Sequence, residues 1–258
     1  MSHTQDKSSA FRQGLLIFIY LAVLTGLEFF VAITLSAVIV LIVIALVKAG
    51  LVLYYYMHIY KLNEEQDQEN EDRHSDEYKT GTNRLGLWLF LLSDSFVFGG
   101  LMVTRINLLG LTRPNLNQSL GLMVTAVLLL SSFFMNRAET AMAHGDQKGF
   151  VTSTIITLVL GIGFVAGVLG VEWPSAIREG ITASSGTPGA VFFMMTGIHA
   201  FHVFTGIVFL LIILNNGRKG LYTEKKHWAV EAATVYWHFV DVVWIFFYPA
   251  LYLIGKLA

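Results

Sequence analysis

Seven windows of about 20 apolar residues dominate the sequence, and each can cross a hydrocarbon core of about 30 Å as a helix. They cover residues 13–33, 35–59, 84–106, 118–139, 149–172, 189–214 and 229–254. Irregular backbone cannot face lipid, and the short alternating segments of a transmembrane barrel are absent. The sequence therefore predicts an all-α fold, a polytopic membrane helical bundle with seven transmembrane helices.

Composition narrows the possible functions. The chain is 55% hydrophobic, 14% charged and free of cysteine, so disulfides, thiolate metal sites and cysteine nucleophiles are excluded. Its net charge of −1 does not indicate nucleic-acid binding. The first window is too long for a signal-peptide core and lacks a small-residue cleavage site, so we expect a retained first helix.

The distribution of charge predicts orientation and domains. Twelve Lys and Arg residues fall on the side of the N-terminus and four on the opposite side, which places the N-terminus in the cytoplasm and the C-terminus outside. Residues 61–83 contain eight acids and predict an acidic flexible linker. We therefore predict a two-helix hairpin over 1–60 and a five-helix domain over 84–258.

Several titratable residues lie within the windows, where charge is costly unless it faces a partner. They are Glu28, Lys48, Asp94, His199, His202, His238 and Asp241. At a rise of 1.5 Å per residue, we expect all of them except Glu28 and His199 to lie at a similar depth, near the middle of the membrane. We expect Glu28 to lie about 12 Å from Lys48 along the normal, too far to pair. Lys48 is expected to form an ion pair with Asp94, or to extend its stem toward the inner face.

The last window carries a predicted polar seam of Glu231, Thr234, His238 and Asp241. We expect it to face the helix of GIHAFHVFTG, where Gly197, Ala200 and Gly206 allow close approach. A structural hydrogen-bond network is the favoured interpretation. Metal or haem ligation by His199 and His202 and a proton relay through Asp94 and Asp241 are the alternatives. No catalytic motif and no metal site is predicted.

Three segments resemble subunit III of haem–copper terminal oxidases: WLFLLSDSFVFGG, GTPGAVFFMMTGIHAFHVFTGIVFLL and AVEAATVYWHFVDVVWIFFYPALYL. The resemblance covers about residues 84–256. In the first segment the family usually has Ser-Glu where this chain has Ser93-Asp94. ALVKAGLVLYYYMHIYK resembles the small subunit IV of bacterial oxidases, which predicts a fusion. The alternative is a divergent form of the two extra N-terminal helices of longer subunits III.

The resemblance implies an accessory subunit in the bacterial inner (plasma) membrane that binds no cofactor itself. Haem and copper would lie in partner subunits, and structural phospholipid would fill a cleft in this chain. The implied partners are subunit I directly, subunit II, membrane lipids and other respiratory complexes. By this analogy, the polar residues organise the bundle and its lipid or proton surface, and the hairpin docks with Lys48 near Asp94. The residues to which the resemblance gives this role are Asp94, His199, His202, Glu231, His238 and Asp241.

Other functions remain open at this stage. A relative of subunit III accompanies nitric oxide reductase, and a quinol could replace cytochrome c as electron donor. A proton-coupled transporter would use the same acids and histidines, but it should show internal repeats and broken helices. A membrane cytochrome would retain haem when the chain is isolated.

Overall fold

A computed structural model describes residues 7–34, 37–57 and 76–257. This part of the chain contains seven helices that are long and apolar enough to cross a membrane, as predicted. The elements are α1 (Lys7–Thr34), α2 (Val38–Leu51), α3 (Asp76–Leu109), β1 (Thr112–Arg113), α4 (Gln118–Ala143), α5 (Gln147–Gly167), α6 (Trp173–Arg178), α7 (Thr187–Arg218), α8 (Trp228–Tyr248) and β2 (Lys256–Leu257). The all-α membrane bundle is confirmed.

Local sequence explains where several helices begin. Asn117 accepts a hydrogen bond from the backbone N–H of Leu120 at the start of α4, and Asp146 accepts one from Gly149 at the start of α5. Three helices continue through π-helical turns, at Val52–Tyr56, Val168–Glu172 and Pro249–Leu253. The last of these turns begins at a proline, which has no N–H to donate to the preceding α-helical turn.

Helix α8 lies at the centre of the bundle. It packs against α2, α3, α4 and α7, while α1 packs against α2 and α4. Gly161 of α5 and Gly206 of α7 make room for Trp237, because a Cβ atom at either glycine would come within 2.6 or 2.9 Å of the indole ring. Small residues at such positions let membrane helices approach closely. The close approach expected at Gly206 is therefore present.

The predicted linker over 61–83 overlaps the beginning of α3. The structure places residues 76–83 in the same helix as the third apolar window, so this helix begins before residue 84, and the linker and domain division stays a prediction. A run of acids near a helix N-terminus is compatible with helix formation, since the macrodipole favours negative charge there. Residues 61–75 of the linker lie outside the described residues.

A short parallel pairing closes the end of the bundle that the charge rule places outside. Thr112 pairs with Lys256 and Arg113 with Leu257. The guanidinium of Arg105 donates four hydrogen bonds to backbone carbonyls beside this pairing: Ala250 and Ile254 (both 2.8 Å), Gly110 (2.6 Å) and Thr112 (3.1 Å). The C-terminal segment is thus attached to the end of α3.

Candidate functional site: a polar network and an apolar groove

Asp94 of α3 meets His202 of α7 near the middle of the bundle. The Oδ2 atom of Asp94 lies 3.2 Å from Nε2 of His202, and both side chains are 15% exposed. The other ring nitrogen, Nδ1, lies 2.8 Å from the carbonyl oxygen of Ile198, which can only accept a hydrogen bond. Nδ1 therefore carries a hydrogen, and attraction between Nε2 and Asp94 requires a second proton on one of the two groups.

An apolar groove opens beside this pair, between α3 and α8. It has a volume of about 330 Å³ and is lined mainly by Phe98 and Met102 of α3 and by Phe239, Val242 and Phe246 of α8. The ring of Phe98 contacts His202 edge-on, with ring centroids 4.7 Å apart. The wall of the groove is therefore apolar, and the ring of Phe98 lies between the groove and His202 of the Asp94–His202 pair.

His199 lies one helical turn from His202 in a different environment. It is fully buried, and its ring packs against Phe164, Trp244 and Phe247 at centroid distances of 5.5, 4.8 and 6.2 Å. Neither ring nitrogen has a hydrogen-bond partner among the described residues. The two histidines therefore do not converge on one ligand in this part of the chain.

His238 and Asp241 are joined through Ser132 of α4. Ser132 donates to Oδ2 of Asp241 at 2.9 Å, and its hydroxyl lies 3.3 Å from Nδ1 of His238. The ring of Tyr56, at the end of the hairpin, stacks on His238 with centroids 4.8 Å apart. Ser132 carried no signal in the sequence, because a lone serine within an apolar window is common in membrane helices.

The expectation that the polar seam faces α7 is wrong. Glu231 instead binds Arg84 of α3 at 3.0 Å, whereas Asp241 faces α4. Glu231 and Asp241 are ten residues apart, which turns an α-helix to roughly 80° short of three whole turns. Since α8 has neighbours on most sides, this rotation brings the two acids to different helices.

The expected ion pair between Lys48 and Asp94 is also corrected. Nζ of Lys48 lies 2.5 Å from Oε2 of Glu28, and both side chains are buried. The two helices of the hairpin share one turn, so depth should have been measured from that turn. Counted from Thr34 and Val38, Glu28 and Lys48 differ by about 6 Å, which a lysine side chain can span.

Two further polar contacts were missed by sequence reasoning. Tyr252 donates to Glu172, and both groups are buried. Arg84 also lies over the ring of Trp228 at 5.8 Å, in addition to its ion pair with Glu231. Among the described residues, no group of three or more His, Asp or Glu side chains is arranged to hold a metal ion.

Comparison with known proteins agrees with the resemblance. A family model described as cytochrome c oxidase subunit III matches residues 7–256. The chain belongs to this family. It is 35% identical over 188 residues to quinol oxidase subunit 3 of Bacillus subtilis (strain 168), covering 69% of this chain and 92% of that relative.

Two other subunit III relatives show similar agreement. Cytochrome c oxidase subunit 3 of Thermostichus vulcanus is 35% identical over 183 residues, which cover 67% of this chain and 87% of the relative. The Rattus norvegicus protein of the same name is 34% identical over 186 residues, covering 67% and 70%. This chain is thus a multi-pass membrane protein of an oxidase subunit III family.

Proposed function

We propose that the chain is an accessory subunit III of a haem–copper oxidase, without a redox centre of its own. It would stabilise the catalytic subunit I in a bacterial inner membrane and hold structural phospholipid. The observation that carries the lipid role is the apolar groove between α3 and α8. Ligand sites in membrane bundles are typically apolar clefts between helices with few polar groups, and this groove has that character.

The polar residues support this role by positioning α3. Arg84 and Asp94 of α3 each pair with a residue of another helix, Glu231 and His202 respectively. These contacts hold α3 to the bundle at two depths while the space between α3 and α8 stays open. In this proposal Asp94, His202 and Glu231 hold α3 in position beside the groove. His199, His238 and Asp241 instead organise the interior of the bundle.

The accessory role is tested by purifying a tagged chain from native membranes in mild detergent. We expect a large multi-helix subunit to co-purify, with haem absorption and oxygen consumption that disappear together when the partner is removed. A chain that emerges alone with stoichiometric haem would instead be a cytochrome. A chain that emerges alone and colourless from intact membranes would contradict the accessory role and call for proton-transport assays.

The lipid role is tested at Gly99, which lines the groove and whose Cβ position has no neighbour within 4 Å. Gly99→Leu should fill part of the groove without a clash and reduce the phospholipid retained after purification, measured by extraction and mass spectrometry. Gly100→Leu is the matched control, because Gly100 has the same free space and does not line the groove. Equal retention in both variants would contradict lipid binding at this position.

A quinol oxidase is the second candidate for the host complex. The relative from Bacillus subtilis is named a quinol oxidase subunit, and its identity of 35% equals that of the Thermostichus vulcanus cytochrome c oxidase subunit. Oxidation of added quinol and of added reduced cytochrome c by the purified complex separates the two. A partner with nitric oxide reductase activity and no oxygen consumption would identify the third alternative.

The origin of α1 and α2 stays a prediction. A family match that starts at residue 7 supports the alternative in which both helices belong to subunit III. The resemblance of residues 45–61 to subunit IV supports a fusion. In either case the hairpin packs against α4 and α8.

A further inference from the structure

The interface between the hairpin and the bundle contains more acids than bases. Glu28, Lys48 and Asp241 are each at most 1% exposed. Lys48 pairs with Glu28 at 2.5 Å and also interacts electrostatically with Asp241. If all three groups were ionised, the charge of one carboxylate would remain uncompensated in a site from which water is excluded.

Uncharged and titratable side chains of several elements also face this interface. Tyr56 of the π-helical turn stacks on His238 of α8, Ser132 of α4 contacts both His238 and Asp241, and Tyr248 of α8 interacts electrostatically with Glu28. Tyr56 donates to the carbonyl oxygen of Gly14, and Tyr252 of the final turn donates to Glu172 on another face. Within the described residues, these contacts supply no second permanent cation.

The hydrogen bonds around Ser132 constrain where a compensating proton can lie. When the Ser132 hydroxyl donates to Asp241, its oxygen is left to accept from Nδ1 of His238, and that nitrogen then carries a hydrogen. An imidazolium at His238 would bury two full charges separated by a hydroxyl group. A carboxylic acid beside a neutral imidazole buries no charge, and desolvation of charge is the larger cost in such an interior.

We propose that Asp241 is a proton-binding site and that it is a neutral carboxylic acid when the hairpin is docked, with His238 also neutral. The proton compensates the acid that Lys48 does not neutralise. This inference concerns the interior of the chain and does not depend on the proposed accessory role. It would hold even if the host complex were not an oxidase.

The test is infrared spectroscopy of the purified complex with carboxyl-labelled ¹³C-aspartate. Protonated carboxylic acids have a carbonyl band separate from those of carboxylates and amides. The Asp94→Asn variant serves as the background, because it removes the other aspartate within the apolar windows. We expect an acid band that shifts with the aspartate label and persists in this background. Absence of any label-shifted acid band would overturn the proposal.

Two substitutions sharpen the assignment. Adding Asp241→Asn should abolish the label-shifted band while the fold is retained, because the amide is a neutral isostere of the acid. Lys48→Met should add an acid band that does not shift with aspartate label, because Glu28 would lose its cation and take up a proton. A label-shifted band of unchanged intensity in the Asp241→Asn variant would show that Asp241 does not contribute to it and would overturn the assignment.

Discussion

Helices α3 and α8 both carry charged residues, but the bundle holds them in opposite ways. In its most apolar window, 78% of α8 residues are buried, whereas in the corresponding window of α3 only 11% are. Helix α8 is surrounded by neighbours, and its aromatic side chains fill the core. Helix α3 presents most of its apolar residues outward and contacts the bundle through Arg84, Asp94 and Arg105.

The difference follows from the solvent of a membrane protein. Lipid tails are as apolar as leucine, so a helix gains little by burying apolar surface against another helix. Tight packing, as at Trp237 between Gly161 and Gly206, and polar contacts then provide the specific attraction. Helix α8 uses mainly packing, whereas α3 uses polar contacts at three depths. Such spaced contacts can hold a helix and still leave a groove beside it.

The largest expected effect is at Arg105, which joins α3 to the C-terminal segment beyond α8. Arg105→Met removes four hydrogen bonds and leaves one buried and three partly buried carbonyl groups without this donor. We expect a loss of about 3 kcal/mol or more in the free energy of unfolding, since hydrogen bonds to charged groups contribute roughly 1.5–3 kcal/mol each and are not additive. Unfolding by denaturing detergent measures this loss.

Arg113→Met is the matched control for Arg105. Arg113 donates one hydrogen bond from Nε, to the carbonyl oxygen of Gly255 at 3.2 Å, and burial lowers the pKa of its guanidinium from the ordinary value. We expect a loss of about 1 kcal/mol, below the range for charged groups, because this single contact is long and only partly buried. Equal losses in the two arginine variants would mean that the carbonyl contacts of Arg105 do not hold α3.

The next prediction compares the loss of stability when a buried and an exposed phenylalanine are each replaced by alanine. Phe247 of α8 is 1% exposed, and Phe96 of α3 is 74% exposed. Phe247→Ala should cost about 2 kcal/mol, less than the roughly 3–5 kcal/mol of a soluble core, because lipid replaces water as the reference environment and the cavity remains as the main cost. Phe96→Ala should change the stability of the isolated chain by less than about 0.5 kcal/mol.

The same two variants can be compared in the assembled complex. If Phe96→Ala leaves the isolated chain unchanged but weakens its co-purification with a partner, Phe96 lies at a subunit interface. If Phe96→Ala and Phe247→Ala destabilise the isolated chain equally, the contrast between an exposed α3 and a buried α8 is wrong.

The fold could be predicted from the sequence because hydropathy determines which segments cross a membrane. Each of the seven predicted windows coincides with a long apolar helix among the residues that the structure describes. Boundaries were less accurate where a helix extends into polar sequence, as at residues 76–83 of α3. Hydropathy reports which segments insert into lipid, so it does not predict polar helical turns that extend beyond the bilayer.

The polar residues could be identified but most of their partners could not. Asp94, His238 and Asp241 stand out because charge is rare in apolar windows. Their partners depend on which helices are adjacent and on rotations of a few tens of degrees, which one sequence does not provide. Glu28 and Lys48 were expected to lie too far apart, although counting both depths from the few residues between their helices would have placed them within reach.

A small effect is expected at the ion pair between Arg84 and Glu231. The two side chains are 15% and 14% exposed, so water and salt screen them in part. Arg84→Gln should cost about 0.2–1 kcal/mol, since partly exposed pairs contribute little. A double-mutant cycle with Glu231→Gln, measured at low and high salt, isolates the pair from the contact of Arg84 with Trp228. A coupling energy as large as the Arg105 effect would mean that the Arg84 end of α3, rather than the Arg105 end, is its main attachment.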